Sequence, residues 1–330
     1  MSDVLVLVEL VDGAADRLSL EALTFAGTLC DRLGGGAIHA ALIASADDAA
    51  AAAGALSGFG VSTLHAIAHE RLDAYAPRAW ATGLAAVAAA APFAAVIGPG
   101  SERGTEVLAY LGALANAPMA ANVVDVRPGE RWSITRQRWA GSLLEEAWLD
   151  GPPHLLTVAA HAVPEPAPAT GASPATVVAL RPALGDADLV ARVTAIESSA
   201  SDRIELAEAK IVVSGGRGLG SPAAFAMLDE LAGLLGAAVG VSRVATSLGW
   251  RPHAQQVGQT GTRVAPDLYI ACGISGAIQH MVGCKSAKRI LAINTDRDAP
   301  IFDKATYGIV GDVHQVIPAI TAEVRRARGA

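Results

Sequence analysis

Two glycine- and hydroxyl-rich turns flank a short apolar run between Gln255 and His280. The first turn, Gln256 to Thr262 (QVGQTGT), spaces its glycines so that the backbone can approach another group closely, with the Gln259 and Thr260 side chains between them. The second turn begins at Gly273 and leads into a segment that ends at a single histidine. The pattern is compatible with a structural turn–strand–turn and with two turns that face each other across a ligand.

The histidine after the second turn is a candidate for binding a planar ligand. If Ser275 caps a helix, Gly276 is its first residue, and His280 lies four residues further on the same face. Helical side chains lean toward the N-terminus, so the imidazole is expected to lie over a residue without a side chain, beside the positive end of the helix. A planar, electron-rich group would fit there. The alternative is a histidine that covers its own helix.

A third glycine-rich turn follows the apolar strand that begins at Ile211 (IVVSGGRGLGS). Ser221 is expected to cap the next helix, with Pro222 in its first turn, and the bare N–H groups there would suit a phosphate. Arg217 would add a charged donor. Because position 221 is serine, the third glycine of GxGxxG is missing and the dinucleotide fingerprint is broken. The alternatives are a phosphate contact and a tight βα turn with an exposed arginine.

Polar residues stand where four predicted strands end. They are Ser242 with Arg243, then Ser275, Asn294 and Asp312. Because open α/β sheets bind ligands at the carboxyl ends of their strands, their recurrence predicts a rim around an extended nucleotide. Taken singly, a solvated strand end explains the first pair and a helix N-cap explains Asp312.

The elements that must position these residues alternate between apolar strands and Ala/Leu-rich helices. The first strand is predicted over Asp3 to Leu10, with a helix starting near Ser19. This order indicates an α/β fold of two α/β domains with mainly parallel sheets, although residues 121–141 look antiparallel. On composition alone, Val163 to Pro174 is the obvious linker. The polar segment Ile196 to Lys210 precedes a new βαβ series, and we place the boundary there, with domains of residues 1–198 and 199–330.

Composition narrows the class of protein. The chain has 330 residues, 17% of them charged, and a net charge of −7, so a nucleic-acid partner is not expected. The acidic N-terminus lacks the basic region of a signal peptide, and three unpaired cysteines fit a reduced, cytoplasmic chain. The apolar run Gly83 to Gly98 is broken by Pro92 and is interpreted as a helix end followed by a buried strand. No metal-binding or Walker A sequence is present.

The segments VSGGRGLGS, AAVGVSR, QVGQTG, GISGAIQH and AINTDRDAPIFDKATYGIVGDVHQVIP closely resemble the α subunits of electron transfer flavoproteins. The resemblance is nearly continuous from Lys210 to Pro318 and is looser in the N-terminal half, where AGSLLEEAW carries it. It implies a heterodimer. The C-terminal domain would be a Rossmann-like FAD-binding domain, and the N-terminal domain would pack on a β subunit that carries AMP or a second FAD.

The resemblance also implies the site residues. Residues 257–260 would run along the flavin, and the last three residues in the following list would hold the adenosine side. On that pattern FAD contacts Arg217, Ser242, Arg243, Val257, Gly258, Gln259, Thr260, Ser275, Gly276, Ala277, Ile278, Gln279, His280, Asn294, Asp312 and Val313.

Three of these residues are expected to tune the redox chemistry. The resemblance places Thr260 near the flavin N5, His280 near its O2 edge and Arg243 over the ring. Adding an electron to a flavin places negative charge on the N1–C2=O2 edge. A helix N-terminus, the histidine and the arginine would stabilise that charge in advance.

The implied activity is electron transfer rather than turnover of an organic substrate. Flavin dehydrogenases, such as the acyl-CoA dehydrogenases of fatty acid β-oxidation, would be the donors, and a membrane quinone oxidoreductase would accept the electrons without insertion of this chain into the membrane. An NAD-dependent oxidoreductase using the same cleft is the alternative, and the broken fingerprint argues against it. A third possibility is a nucleotide-binding structural subunit.

Overall fold

A computed structural model describes residues 2–164, 167–195 and 204–328 of the chain. Backbone contacts divide the chain into two compact units, unit 1 (Met1–Ser198) and unit 2 (Ser199–Ala330). The boundary expected between residues 198 and 199 falls outside the described residues, so it stays a prediction.

Unit 1 is built on a nine-stranded sheet with the order β11-β5-β4-β1-β6-β10-β7-β8-β9, in which β8 pairs antiparallel with β7 and with β9 and every other pairing is parallel. Its described strands are β1 (Val4–Val8), β2 (Leu10–Val11), β3 (Ala14–Ala15), β4 (Ile38–Ile43), β5 (Val61–Ile67), β6 (Ala95–Gly98), β7 (Met119–Arg127), β8 (Trp132–Arg138), β9 (Leu143–Leu149), β10 (His154–Val158) and β11 (Thr176–Leu180). The short strands β2 and β3 pair only with each other. The antiparallel hairpin predicted over residues 121–141 is confirmed.

Helices cover both faces of this sheet, as the buried strands require. They are α1 (Arg17–Arg32), α2 (Ala46–Ser57), α3 (Pro77–Ala90) and α4 (Glu102–Ala115). Leu23 and Leu56 pack on one face, and Leu84 and Leu108 pack on the other. The run from Gly83 to Gly98 is thus the end of α3 followed by β6, as predicted.

The first helix lies close to its expected position, and the loop expected to link two domains does not do so. Helix α1 begins at Arg17, two residues before Ser19, because the Asp16 carboxylate accepts a hydrogen bond from the Leu18 N–H at 2.9 Å and caps the helix there. The Pro/Ala loop Val163 to Pro174 does not link domains, since β11 follows it and pairs in parallel with β5 of the same sheet.

Unit 2 is a five-stranded, fully parallel sheet with the order β13-β12-β14-β15-β16. Its strands are β12 (Ile211–Gly215), β13 (Ala238–Val241), β14 (Leu268–Cys272), β15 (Ile290–Asn294) and β16 (Tyr307–Val310). Its helices are α5 (Phe225–Leu235), α6 (Arg243–Ser247), α7 (Ile278–Cys284) and α8 (Val313–Arg328). The predicted α/β class with mainly parallel sheets is confirmed in both units.

The sheet of unit 2 is covered on both faces. Phe225, Leu228 and Ile317 bring α5 and α8 against one face, and Tyr269 and Cys284 lie in the core on the other. Strands buried on two sides read as continuous apolar runs, which is why they stand out in the sequence. Among the described residues, no helix combines the length and apolar character needed to cross a membrane.

Candidate functional site

The carboxyl ends of β12 and β14 lie side by side where the strand order of unit 2 reverses. From β12 the chain runs to β13 on one side, and from β14 it runs outward to β15 and β16 on the other. Such a reversal opens a crevice at the carboxyl edge of a parallel sheet, where ligands bind. Two of the three glycine-rich turns leave the sheet at this edge, after Gly215 and after Cys272.

These two turns pack directly on each other. The Gly218 N–H donates to the carbonyl of Gly273 at 3.0 Å, and the Gly216 N–H donates to the carbonyl of Cys272 at 2.9 Å. A Cβ on Gly218 would lie 2.6 Å from the Cα of Gly273, well inside ordinary contact distance. The glycines are therefore needed to let two backbones approach.

The expected helix start at Ser221 is confirmed only in part: Ser221 stands at the N-cap position with Pro222 next to it, but of a 3₁₀ turn rather than of α5. Two short 3₁₀ turns, Arg217–Leu219 and Pro222–Ala224, follow β12, and α5 begins only at Phe225, without a capping bond from the Ser221 side chain. The N–H groups of Gly216, Gly218, Gly220 and Ser221 all bind backbone carbonyls of the chain itself. The turn therefore favours the tight βα connection over a phosphate cradle. The exposed Arg217 as a cofactor contact stays a prediction.

The first turn, Gln256 to Thr262, is held against the sheet and against α7. The Val257 N–H donates to Val241 at the end of β13, and the Gln259 N–H donates to the carbonyl of Gln279 at 2.8 Å. Gly283 of α7 packs on this turn so closely that a Cβ there would lie 2.5 Å from the Cα of Gly258. The first turn is therefore in direct contact with α7, and its placement along a ligand stays a prediction. Part of the glycine content serves this packing.

Helix α7 begins at Ile278, two residues later than predicted, and Gly276 lies outside it. Gly276 has a left-handed backbone with φ of +83°, so it cannot be a helical residue. A Cβ there would also lie 2.5 Å from the Cα of Ile301. His280 is therefore the third residue of a seven-residue helix. The expected placement of its ring over Gly276 as a first helical residue is wrong.

His280 is nevertheless buried beside the first turn. Its Nε2 lies 2.8 Å from the hydroxyl oxygen of Tyr269, a side chain with no exposure. Burial lowers the pKa of His280 to about 4. The nearby backbone of Val257 raises this pKa in part, but it does not form a hydrogen bond with the ring. The imidazole is therefore neutral at neutral pH. Within the described part of the chain, Nδ1 makes no hydrogen bond.

A buried glutamine supports the hydroxyl of the first turn. Gln256 is 2% exposed, and its amide nitrogen lies 3.0 Å from the Oγ1 of Thr260 while its amide oxygen lies 2.7 Å from the Oγ1 of Thr246. These contacts satisfy an amide that would be costly to bury alone. They also hold the Thr260 side chain at the exposed surface of the turn.

Sequence reasoning missed Tyr269, Gln256 and Thr246. The first has one local signal, a tyrosine in an otherwise aliphatic buried strand, because a buried phenol needs a polar partner. The others are identified only by contacts between separate segments.

The remaining predicted residues lie along the carboxyl edge. Ser242 follows β13, is 9% exposed, and its hydroxyl has no partner among the described residues. Arg243 is exposed at the start of α6. The Asn294 amide is engaged by the carbonyl of Ile274 and the N–H of Asp296. Asp312 caps α8, ahead of the buried Val313, by accepting from the His314 N–H at 2.9 Å.

These features fit the FAD that the sequence implies. A buried imidazole nitrogen and a buried serine hydroxyl, both without partners in the described part of the chain, stand near a glycine-rich backbone at the carboxyl edge of a parallel sheet. A neutral imidazole whose Nδ1 has no partner among the residues described is available for a hydrogen bond to an electron-rich ring edge. In residues 2–164, 167–195 and 204–328, no group of three His, Cys, Asp or Glu side chains could hold a metal ion.

Two family models match the chain. Residues 4–184 match the electron transfer flavoprotein domain, and residues 205–285 match the electron transfer flavoprotein FAD-binding domain. The second match contains the first turn, α7 and the Tyr269–His280 pair.

Curated relatives carry the same description. Electron transfer flavoprotein subunit alpha of Mycobacterium leprae is 37% identical over 330 residues, which cover all of both chains. The corresponding subunit of Mycobacterium tuberculosis (strain H37Rv) is 39% identical over 329 residues, again over the whole of both. That of Paracoccus denitrificans is 58% identical over 128 residues, 39% of this chain and 42% of the relative.

Proposed function

We propose, since the chain belongs to the family of electron transfer flavoprotein α subunits, that it is the FAD-carrying subunit of a heterodimeric electron carrier. Unit 2 contains the FAD-binding domain of that family. The observation that carries the proposal is the neutral, buried His280 beside the turn Gln256 to Thr262, with Nδ1 unpartnered among the described residues. Bound FAD would supply the one-electron chemistry, and the chain's residues bind, orient and tune it.

The turn and α7 would hold the flavin, and the other strand ends would hold the rest of the cofactor. Val257 and Gly258 offer a close backbone surface, and Gln259 and Thr260 offer exposed polar side chains. The three residues Asn294, Asp312 and Val313, at the ends of β15 and β16, would lie on the adenosine side. The exposed Arg243 is free of a fixed ion pair among the described residues, so it can be placed over the ring.

His280 would donate its Nδ1–H to the edge of the flavin that becomes negative on reduction. A hydrogen bond to a charged group contributes about 1.5–3 kcal/mol in a buried site. For a one-electron couple a tenfold change in equilibrium, about 1.4 kcal/mol, corresponds to about 59 mV. Loss of this donor is therefore expected to lower the first reduction potential of the flavin by roughly 60–130 mV.

Unit 1 would pack on a β subunit that carries AMP or a second FAD. Strand β9 is the edge of its sheet, and the segment from Trp139 to Trp148 exposes large apolar side chains. These are Trp139 (77% exposed), Leu143 (55%), Leu144 (67%) and Trp148 (61%). An apolar sheet edge of this kind is typical of a surface that another chain covers.

The electrons would come from flavin dehydrogenases, such as acyl-CoA dehydrogenases in fatty acid β-oxidation, and would pass to a membrane quinone oxidoreductase. The complex would work in the cytoplasm and would transform no organic substrate. The internally bonded turn after β12 does not favour the alternative of an NAD-dependent oxidoreductase.

The test is a potentiometric titration of the complex co-expressed with its β subunit, comparing the wild type with His280→Ala. We expect yellow protein with one FAD per α chain and a lowered first potential in the variant. A complex that binds NAD instead of FAD would reject the function. An unchanged potential in the variant would reject the role of His280. Reduction of the complex by an acyl-CoA dehydrogenase and its substrate tests the donor class.

A further inference from the structure

We infer that Tyr269 is a positioning residue: its hydroxyl donates to Nε2 of His280 and thereby fixes the imidazole as the tautomer that carries its proton on Nδ1. The inference rests on the proposed function for its purpose, because a fixed Nδ1–H is what the flavin edge requires. The tautomer itself is a property of this chain and can be measured without the cofactor.

Tyr269 and His280 form a close, buried pair. The phenolic oxygen and Nε2 are 2.8 Å apart, and both side chains are buried, with 0% and 8% exposure. Tyr269 stands on β14 in the sheet, and His280 stands on α7, which packs on the first turn. A rigid strand therefore sets the position of the ring that faces that turn.

The direction of the hydrogen bond follows from acid–base chemistry. A phenol is a stronger acid than a neutral imidazole N–H, and an imidazole lone pair is a stronger base than a phenolic oxygen. The bond therefore runs from the Tyr269 O–H to the Nε2 lone pair. Because a neutral imidazole has one N–H, the proton must then be on Nδ1.

The charge state agrees with this arrangement. Burial holds the pKa of the Tyr269 hydroxyl well above its ordinary value, so the phenol keeps its proton. Burial also lowers the pKa of His280, which keeps the ring neutral. Nδ1 is then a donor without a partner among the described residues, on a side chain next to Gly258 of the first turn.

The direct test is nitrogen NMR of the complex, with 15N-labelled histidine, in the presence and absence of FAD. In the wild type we expect a protonated, pyrrole-like Nδ1 and a pyridine-like Nε2 for His280. Tyr269→Phe should convert this ring to a mixture of tautomers. Ser214→Ala is the matched control, because it removes another buried hydroxyl near the phenol but keeps the Tyr269–His280 bond. A protonated Nε2 in the wild type, or no change in Tyr269→Phe, would overturn the inference.

A second measurement separates positioning from a general structural role. Tyr269→Phe should shift the one-electron equilibrium of bound FAD by about tenfold toward the oxidised form, about 59 mV. In a His280→Ala background the same substitution should change it by less than about twofold, because residues that act through one another are non-additive. Equal shifts in both backgrounds would show that Tyr269 does not act through His280. A complex that holds no FAD would refute the proposed function, while the NMR result would still decide the tautomer.

Discussion

Replacing Gly283 by alanine should separate helix α7 from the first turn. Gly283 lies within α7, and an added Cβ would be 2.5 Å from the Cα of Gly258 and closer still to its backbone nitrogen. An ordinary contact begins near 3.4 Å and the nitrogen would be at 2.2 Å, so the two segments must move apart by about 1.2 Å. Because the obstacle is backbone rather than a flexible side chain, no change of rotamer relieves it.

The energetic cost can be bounded from these contacts. Forcing an extra methyl into a packed site costs about 1–3 kcal/mol. The movement also strains two backbone hydrogen bonds, from Gln259 to Gln279 and from Val264 to Gly283, each worth about 1 kcal/mol. The better helix propensity of alanine offsets about 1 kcal/mol. The free energy of unfolding of unit 2 should fall by roughly 2 kcal/mol.

The matched control is Gly233→Ala in helix α5, where an added Cβ would meet no atom within 4 Å. That substitution should raise the free energy of unfolding by about 0.5–1 kcal/mol. Both variants are compared in the FAD-loaded complex by urea unfolding, followed by the fluorescence of released flavin. Gly283→Ala should also weaken FAD binding by about tenfold or more, since displacements near 1 Å misplace binding groups. Equal stability and equal FAD affinity in the two variants would refute the close packing of turn and helix.

Three further outcomes follow from the same site. Because the pKa of His280 is about 4 when folded and ordinarily 6.5, the unfolded chain takes up the extra proton as pH falls, so stability should drop by up to about 3 kcal/mol between pH 6.5 and 4. Urea unfolding across that range should give a shallower drop for His280→Gln; identical slopes would contradict the buried, neutral ring. Gln256→Leu should weaken FAD binding about tenfold through loss of support for Thr260, and unchanged affinity in a fluorescence titration would contradict that support. Burial raises the pKa of Cys272 and Cys284 to about 12, so neither thiol should react with a thiol reagent at pH 8 until the chain unfolds. Labelling of Cys272 or Cys284 in the folded protein would contradict their burial.

Much of the fold is predictable because buried parallel strands leave an unambiguous pattern. The apolar run of β12 ends in Gly215 and that of β14 is followed directly by Gly273, and alternation with helices predicts the parallel sheet. Helix starts are harder to place. The start of α7 depends on the left-handed backbone of Gly276, and Asp16 rather than Ser19 marks the start of α1. The first depends on tertiary packing and the second on which residue caps the helix, and the spacing of residues in the sequence decides neither.

The sequence singles out the residues of the candidate site, but it does not predict the contacts that support them. The glycine turn and His280 are sequence features, and both lie within the residues that match the FAD-binding domain of the family. The bonds from Tyr269 to His280 and from Gln256 to Thr246 join segments at least ten residues apart, so spacing could not predict them. For the turn after β12 the sequence left two alternatives, a phosphate contact and a tight βα turn. The close approach of its glycines to Gly273 favours the second.

The central claim is that FAD lies along the turn Gln256 to Thr262 with its N1–C2=O2 edge at His280. The structure of the FAD-loaded complex with the β subunit tests it most directly. We expect Nδ1 of His280 within hydrogen-bonding distance of the flavin O2, with Nε2 still on the hydroxyl of Tyr269. A flavin bound elsewhere, or a His280 whose Nδ1 does not reach that edge, would contradict it.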